Sequence, residues 1–239
     1  MSIQRGFWFT RLFVAAAAVG GIASAVFAPG IARATPTSYS LSINGCSSGC
    51  GTGPYGTVAV DSDASNASAL DISVVLAPGY AFRHANDANH WAMAFSLAGN
   101  PIIAISGLSS AAFSRPDGTT FNDSPFGNFQ YALACGGATC STGFTAQNPT
   151  TLSFVVTPQT GSLTAASFVA GSAGTALFAV DVTTDGTCAE CIAGSTGNVG
   201  AFAPISGGGT ATAAPEPASL GLLGAALTFL GVVRRRRMR

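Results

Sequence analysis

The chain contains no lysine, so all ten of its basic residues are arginine. Charge is scarce throughout, with Asp, Glu, Lys and Arg making up 8% of 239 residues. Most of the arginines crowd the two ends, and between Thr35 and Ala214 only Arg83 and Arg115 remain. Against these stand Asp61, Asp63, Asp71, Asp87, Asp117, Asp123, Asp181, Asp185 and Glu190. The formal net charge of +0 therefore hides a mildly acidic middle between basic ends. No stripe of cations is available to neutralise a phosphate backbone, which excludes nucleic acid as a partner. Histidine is nearly absent, with His84 and His90 the only 2. The middle also lacks an internal repeat and any long run with the apolar period of a helix, which leaves the β classes.

What the middle does contain is alternation. Tyr39, Leu41 and Ile43 alternate with serines, and Leu70, Ile72, Val74 and Leu76 with Asp71, Ser73 and Val75. The same period runs through Trp91, Met93, Phe95 and Leu97, and through Phe129, Tyr131 and Leu133. It returns in Leu152, Phe154 and Val156, and in Phe178, Val180 and Val182. A period of two puts one set of side chains in a core and leaves the other in water. Thr57 to Val60, Ile102 to Ile105 and Val199 to Phe202 are shorter candidates, while Ser162 to Val169 fits one helical turn or a strand. Turn signals separate the runs at Pro78-Gly79, Gly99-Asn100-Pro101, Pro116-Asp117-Gly118, Asn148-Pro149 and Asp185-Gly186. The pattern predicts an all-β domain, an antiparallel β-sandwich of jelly-roll type. At about 180 residues it is long enough to be one domain with its own core.

The ends read as targeting segments. Arg5 and Arg11 precede an apolar stretch from Leu12 to Phe27, and small residues follow at Ala32-Arg33-Ala34, with Ala23-Ser24-Ala25 as a second cleavage site. This is the layout of a secretory signal peptide over 1–34. A β domain is expected over 35–206 and a flexible Gly/Ala/Thr linker over 207–214. The final segment, 215–239, opens with Pro215, Glu216 and Pro217 and continues uncharged from Ala218 to Val233. It ends in Arg234, Arg235, Arg236, Arg237, Met238 and Arg239. As a transmembrane helix the apolar run would span roughly 24 Å at about 1.5 Å per residue. That is short of a ~30 Å hydrocarbon core, so flanking residues must snorkel or the bilayer must thin. The arginine block holds its end on the cytoplasmic side and stops transfer.

Pro-Glu-Pro, a short hydrophobic helix and a terminal arginine cluster, in that order, resemble the PEP-CTERM sorting signal of exported proteins in Gram-negative bacteria. The resemblance covers the last 25 residues. It implies recognition by the membrane enzyme exosortase, cleavage near Pro215 to Pro217, and only a transient stay in the inner membrane. Delivery to the cell surface or the extracellular matrix follows. A looser resemblance links Asn44 to Val58 and Thr196 to Gly200 with secreted domains that precede such tails. It implies a shared scaffold and carries over no active residue.

The 6 cysteines fall in close pairs, Cys46 with Cys50, Cys135 with Cys140, and Cys188 with Cys191. In an exported chain an even number reads as disulfides, and six allow fifteen connectivities, of which pairing by proximity is the economical one. A four-thiolate zinc site from Cys135, Cys140, Cys188 and Cys191 competes with this reading, but an oxidising compartment opposes it. Cys188-Ala-Glu-Cys191 has the redox C-x-x-C spacing without the α/β setting that motif needs. Gly45-Cys46-Ser47-Ser48-Gly49 spells a nucleophile elbow and Gly51-Thr52-Gly53-Pro54-Tyr55-Gly56 a phosphate loop. Both require a following helix, whereas a strand follows here, so the glycines are read as serving a tight cystine-bearing loop.

Weaker candidates remain. His84, Asp87 and His90 share one loop and could converge on a metal. Asp61, Asp63 and Asn66 offer oxygens for Ca²⁺ without the glycine and distant glutamate of an EF-hand. Asp61, Asp117, Asp123 and Asp181 are available as paired carboxylates for a hydrolase. Trp91, Tyr80 and Tyr131 would form a carbohydrate platform if outward-facing. No constellation among these specifies catalysis. The expectation is an exported, non-enzymatic structural or adhesive β domain with no cofactor. The alternative is a carbohydrate-binding module for matrix polysaccharide, and a secreted hydrolase comes third.

Overall fold

The computed structural model describes residues 35–83, 86–87, 90–137 and 139–204, with side chains omitted at 86–87. The predicted signal peptide, the linker and the whole 215–239 segment lie outside the described residues. So do His84 and the side chain of Asp87.

The chain enters through β1 (Thr37–Leu41) and β2 (Ile43–Asn44), then forms the hairpin β3 (Gly56–Ser62) and β4 (Leu70–Leu76). Next come β5 (Tyr80–Phe82), the small pair β6 (Asn86–Asp87) and β7 (His90–Trp91), and β8 (Met93–Leu97). β9 (Ile103–Ser106) is followed by the short β10 (Phe113–Ser114), β11 (Phe121–Asn122) and β12 (Asn128–Phe129), then by β13 (Tyr131–Cys135). The last part holds β14 (Thr151–Pro158), a 3-10 turn at Ala165–Ser167, β15 (Phe168–Val169), β16 (Phe178–Thr184) and β17 (Thr196–Ala201). No α-helix occurs among the described residues, and no helix there is long and apolar enough to cross a membrane.

All strand pairings are antiparallel. One sheet has five strands in the order β1-β3-β4-β14-β9. The other has eight, in the order β10-β13-β8-β16-β17-β2 with β15 on β8 and β5 on β16. The chain changes sheet after β1, β2, β4, β8, β9, β13 and β14, so long-range pairing dominates over hairpins. Between β3 and β4 the backbones close so tightly at Gly56 that a Cβ would lie 2.4 Å from the carbonyl oxygen of Val75.

One hydrophobic cluster takes residues from both sheets. Val58, Ile72, Val74, Leu152 and Phe154 come from the five-stranded sheet, and Phe82, Phe95, Phe178, Val180 and Val199 from the other. Tyr39 meets Phe178 edge-on at 5.0 Å between ring centres, and Phe95 stacks on Phe154 at 6.1 Å. The outward positions of the five-stranded sheet are mostly small and polar, as the alternation predicts. In the eight-stranded sheet the expectation of one wet face fails. β8, β13 and β16 are buried at every residue. Their outward positions include Ala94, Ala132 and Ala179, and against these small side chains pack Phe121, Phe126 and Phe129. Trp91 and Phe129 consequently belong with this second cluster and not with Phe95 and Leu133. Each lies just before a break that reverses which face its successors use. The ambiguous stretch from Ser162 to Val169 contains both a 3-10 turn and a two-residue strand.

Candidate functional site

The three cystines join near neighbours, Cys46 to Cys50, Cys135 to Cys140 and Cys188 to Cys191. Each of the four sulfurs considered for zinc is thus consumed in a disulfide, and that reading is replaced. The first and third cystine loops are zipped together. Cys50 and Cys191 form an antiparallel bridge, and the Ile192 amide donates to the Gly49 carbonyl at 2.8 Å. The Tyr80 hydroxyl donates to the Cys50 carbonyl at 2.7 Å and lies 3.3 Å from the Cys191 sulfur. Gly197 allows β17 to pass close beneath, since a Cβ there would stand 2.7 Å from the Cys46 Cα. Ser47 lies on this platform, in a bend with no helix after it, so the elbow motif has no elbow geometry.

Beside the platform β16 loses its neighbour. Val182 pairs with Phe82, and Ala179 pairs with Ala94. β5 and β8 therefore lie end to end along one edge of β16, and the chain between them leaves the sheet opposite Val180 and Asp181. The rims of this break are occupied by Arg83 and His90. Arg83 Nε lies 3.2 Å from Asp181 Oδ2, and His90 Nδ1 lies 3.5 Å from the same oxygen. Asp181 is 0% exposed, the Arg83 side chain 16% and the His90 side chain 32%. A carboxylate taken that far from water costs several kcal/mol unless paired, and the guanidinium supplies the pairing. On the other side Asp181 faces Asn198 across β17. Asn198 Nδ2 donates to the Ser124 carbonyl at 2.6 Å, and Arg83 Nη1 donates to the Thr196 hydroxyl at 3.1 Å.

Above these groups opens a cleft of about 550 Å³, lined by Ser47, His90, Asn122, Ser124, Thr196 and Asn198 among others. Its lining is predominantly polar. Nδ1 of His90 faces the carboxylate and Ser47 lies on the same cleft, which brings serine, histidine and aspartate to one place. No hydrogen bond joins Ser47 to His90, and Arg83 already balances the charge of Asp181.

The other sequence candidates separate. Asp61 stands on the five-stranded sheet, directly opposite Asp71. Asp117 is exposed in a loop, whereas Asp123 is buried. Asp63 serves a turn, its Oδ1 accepting from the Ser65 amide at 2.7 Å, the Ser65 hydroxyl at 2.6 Å and the Asn66 amide at 2.7 Å. These bonds, the Ser65 hydroxyl foremost, hold its carboxyl below the ordinary range. Asp185 is lowered in the same way by the Thr187 hydroxyl and amide. Among the described residues no group of three or more His, Cys, Asp and Glu is arranged around a metal position. Tyr80 and Tyr131 are buried at 3% and 5% exposure, so they form no outward platform. Trp91 is half-buried and packs edge-on against Phe121 at 5.1 Å.

Arg83, Asn122, Ser124, Thr196 and Asn198 carried no signal of their own in the sequence. Asp181 entered the sequence reading only as one of several available carboxylates, and it stands in a strand that is buried at every residue. Comparison with known proteins gives no match, whether to a family model, to a curated protein or to a solved structure.

Proposed function

We propose that this is an exported protein of the cell surface or extracellular matrix, carrying a non-catalytic structural or adhesive β-sandwich. The observation that carries the export half is the closure of all the cysteines into three neighbour-to-neighbour cystines. Such bonds persist in oxidising compartments and are rare where thiol reductants prevail. The sandwich reading is supported by the shared core of the two sheets and by the ring contacts between them. Repeated passage of the chain from sheet to sheet supports the jelly-roll type. The sorting reading rests on Pro215, Glu216, Pro217 and the block Arg234 to Arg237 with Arg239. In it exosortase cuts near the Pro-Glu-Pro motif after a transient halt in the inner membrane.

The test is fractionation with mass spectrometry of the native product. The expected product lacks both ends, lies outside the inner membrane and holds three disulfides. Deleting 215–239 should abolish surface retention. Full-length protein in the cytosol with reduced thiols would overturn the proposal.

A further inference from the structure

A strand running straight from Phe82 into Met93 would cover Val180 and Asp181 with backbone. The chain leaves the sheet there instead, and the opening becomes a cleft with a buried ion pair at its base. Its volume of about 550 Å³ falls within the roughly 300–1,000 Å³ of small-molecule pockets.

The lining indicates the class of occupant. Ser47, Ser124 and Thr196 present hydroxyls, which both donate and accept, and Asn122 and His90 add nitrogen and oxygen groups of either kind. Such a surface matches a ligand whose own groups both donate and accept. Charge narrows the choice further. Arg83 is balanced by Asp181, and Arg115, the only other cation of the described residues besides the histidine, donates to the Ile103 carbonyl of β9. The one guanidinium on the lining, Arg83, is thus already paired, and no cluster of cations awaits a phosphate, sulfate or carboxylate. The cleft lining holds no aromatic side chain but that of His90. Tyr80 and Tyr131 are buried, and Trp91 packs edge-on against Phe121, so the site offers no stacking platform for the flat face of a polymer. The wall is rigid before any ligand arrives, since Gly45 to Ser47 are held by the Cys46–Cys50 cystine and its zipped neighbour. A preorganised wall lowers the ordering cost of binding.

We infer that this cleft binds a neutral saccharide, entering as a short oligosaccharide or as the end of a glycan chain. The inference goes beyond the structural role proposed above and does not depend on the sorting signal.

Full-length protein in detergent is applied to an array of neutral hexose and N-acetylhexosamine oligosaccharides, printed beside uronic-acid and sulfated ones. Free neutral monosaccharides serve as competitors. Binding is expected on the neutral set. Ser47→Trp, an exposed position at the mouth, and Asn122→Ala should each weaken it at least tenfold with all three cystines intact. If Asn122→Ala does not fold, Ser47→Trp decides alone. Competition by monosaccharides marks a single-residue site, and its absence marks an oligosaccharide site; both uphold the inference. No binding to neutral glycans, a preference for the anionic ones, undiminished binding in the folded variants, or consumption of the glycan would each overturn it. A failed array leaves the export reading standing, and a cytosolic, uncut protein that still binds leaves this one standing.

Discussion

All 4 tyrosines of the chain, Tyr39, Tyr55, Tyr80 and Tyr131, lie in the core at 5% exposure or less. Each hydroxyl donates to an oxygen within the fold: Tyr39 to Ala165, Tyr55 to Gly51, Tyr80 to Cys50, and Tyr131 to both Asn100 and Pro101. Burial raises all four phenols above their ordinary value; Asp185 raises Tyr80 further, and the adjoining Tyr80 phenol does the same to Tyr55. The sign of the linkage follows from the neutral form being the folded one. Stability is fully present below the unfolded value of about 10 and is lost as pH rises towards the higher folded values. Phenolate absorbance in an alkaline titration should therefore appear together with loss of the β circular dichroism. Phenolate formation at about pH 10 in a fully folded protein would contradict the burial.

At the scale of elements, the end-to-end pair β5 and β8 needs something to secure the gap between them. Backbone pairing with β16 ends at Phe82 on one side and resumes at Ala94 on the other. Across the gap the Asp181 carboxylate pairs with Arg83 of one rim and lies 3.5 Å from His90 of the other, and so stitches the break. Asp181→Ala removes the stitch and leaves a guanidinium largely buried, which should cost about 3–5 kcal/mol in urea unfolding. Replacing the group together, Arg83→Met, His90→Leu and Asp181→Leu, should recover much of that loss, since apolar side chains carry no desolvation penalty. A loss for Asp181→Ala comparable with that of an exposed ion pair, up to about 1 kcal/mol, would show that the pair holds nothing in place.

For the molecule as a whole, the balance lies between a core and three staples. The main cluster is drawn from both sheets and is continuous from Tyr39 to Ala201. Each cystine closes a loop with a sequence separation of only 3 to 5. In the chain-entropy account short loops give less than the ~3 kcal/mol of a 15-residue loop. Reduction should consequently lower the midpoint of thermal unfolding while leaving the protein folded at room temperature, with one cooperative transition above it. Complete loss of tertiary structure on reduction would mean that the staples, and not the core, hold the fold.

How much of this was legible beforehand follows from the range of the forces involved. The all-β class, the antiparallel strands and the pairing of Cys46 with Cys50 and its two counterparts are local matters. Period-two alternation and short cysteine spacing record them directly in the sequence. The second cluster was not legible, because Ala94, Ala132 and Ala179 read as a wet face until Phe121, Phe126 and Phe129 arrive from elsewhere in the chain. The cleft was still less so. Arg83, His90, Asp181 and Asn198 are separated by up to more than a hundred positions, and only the end-to-end placement of β5 and β8 on β16 brings them together. The sequence by itself determined which residues seek burial and which cysteines meet; tertiary structure alone decided where a sheet opens, because that depends on pairing between distant strands.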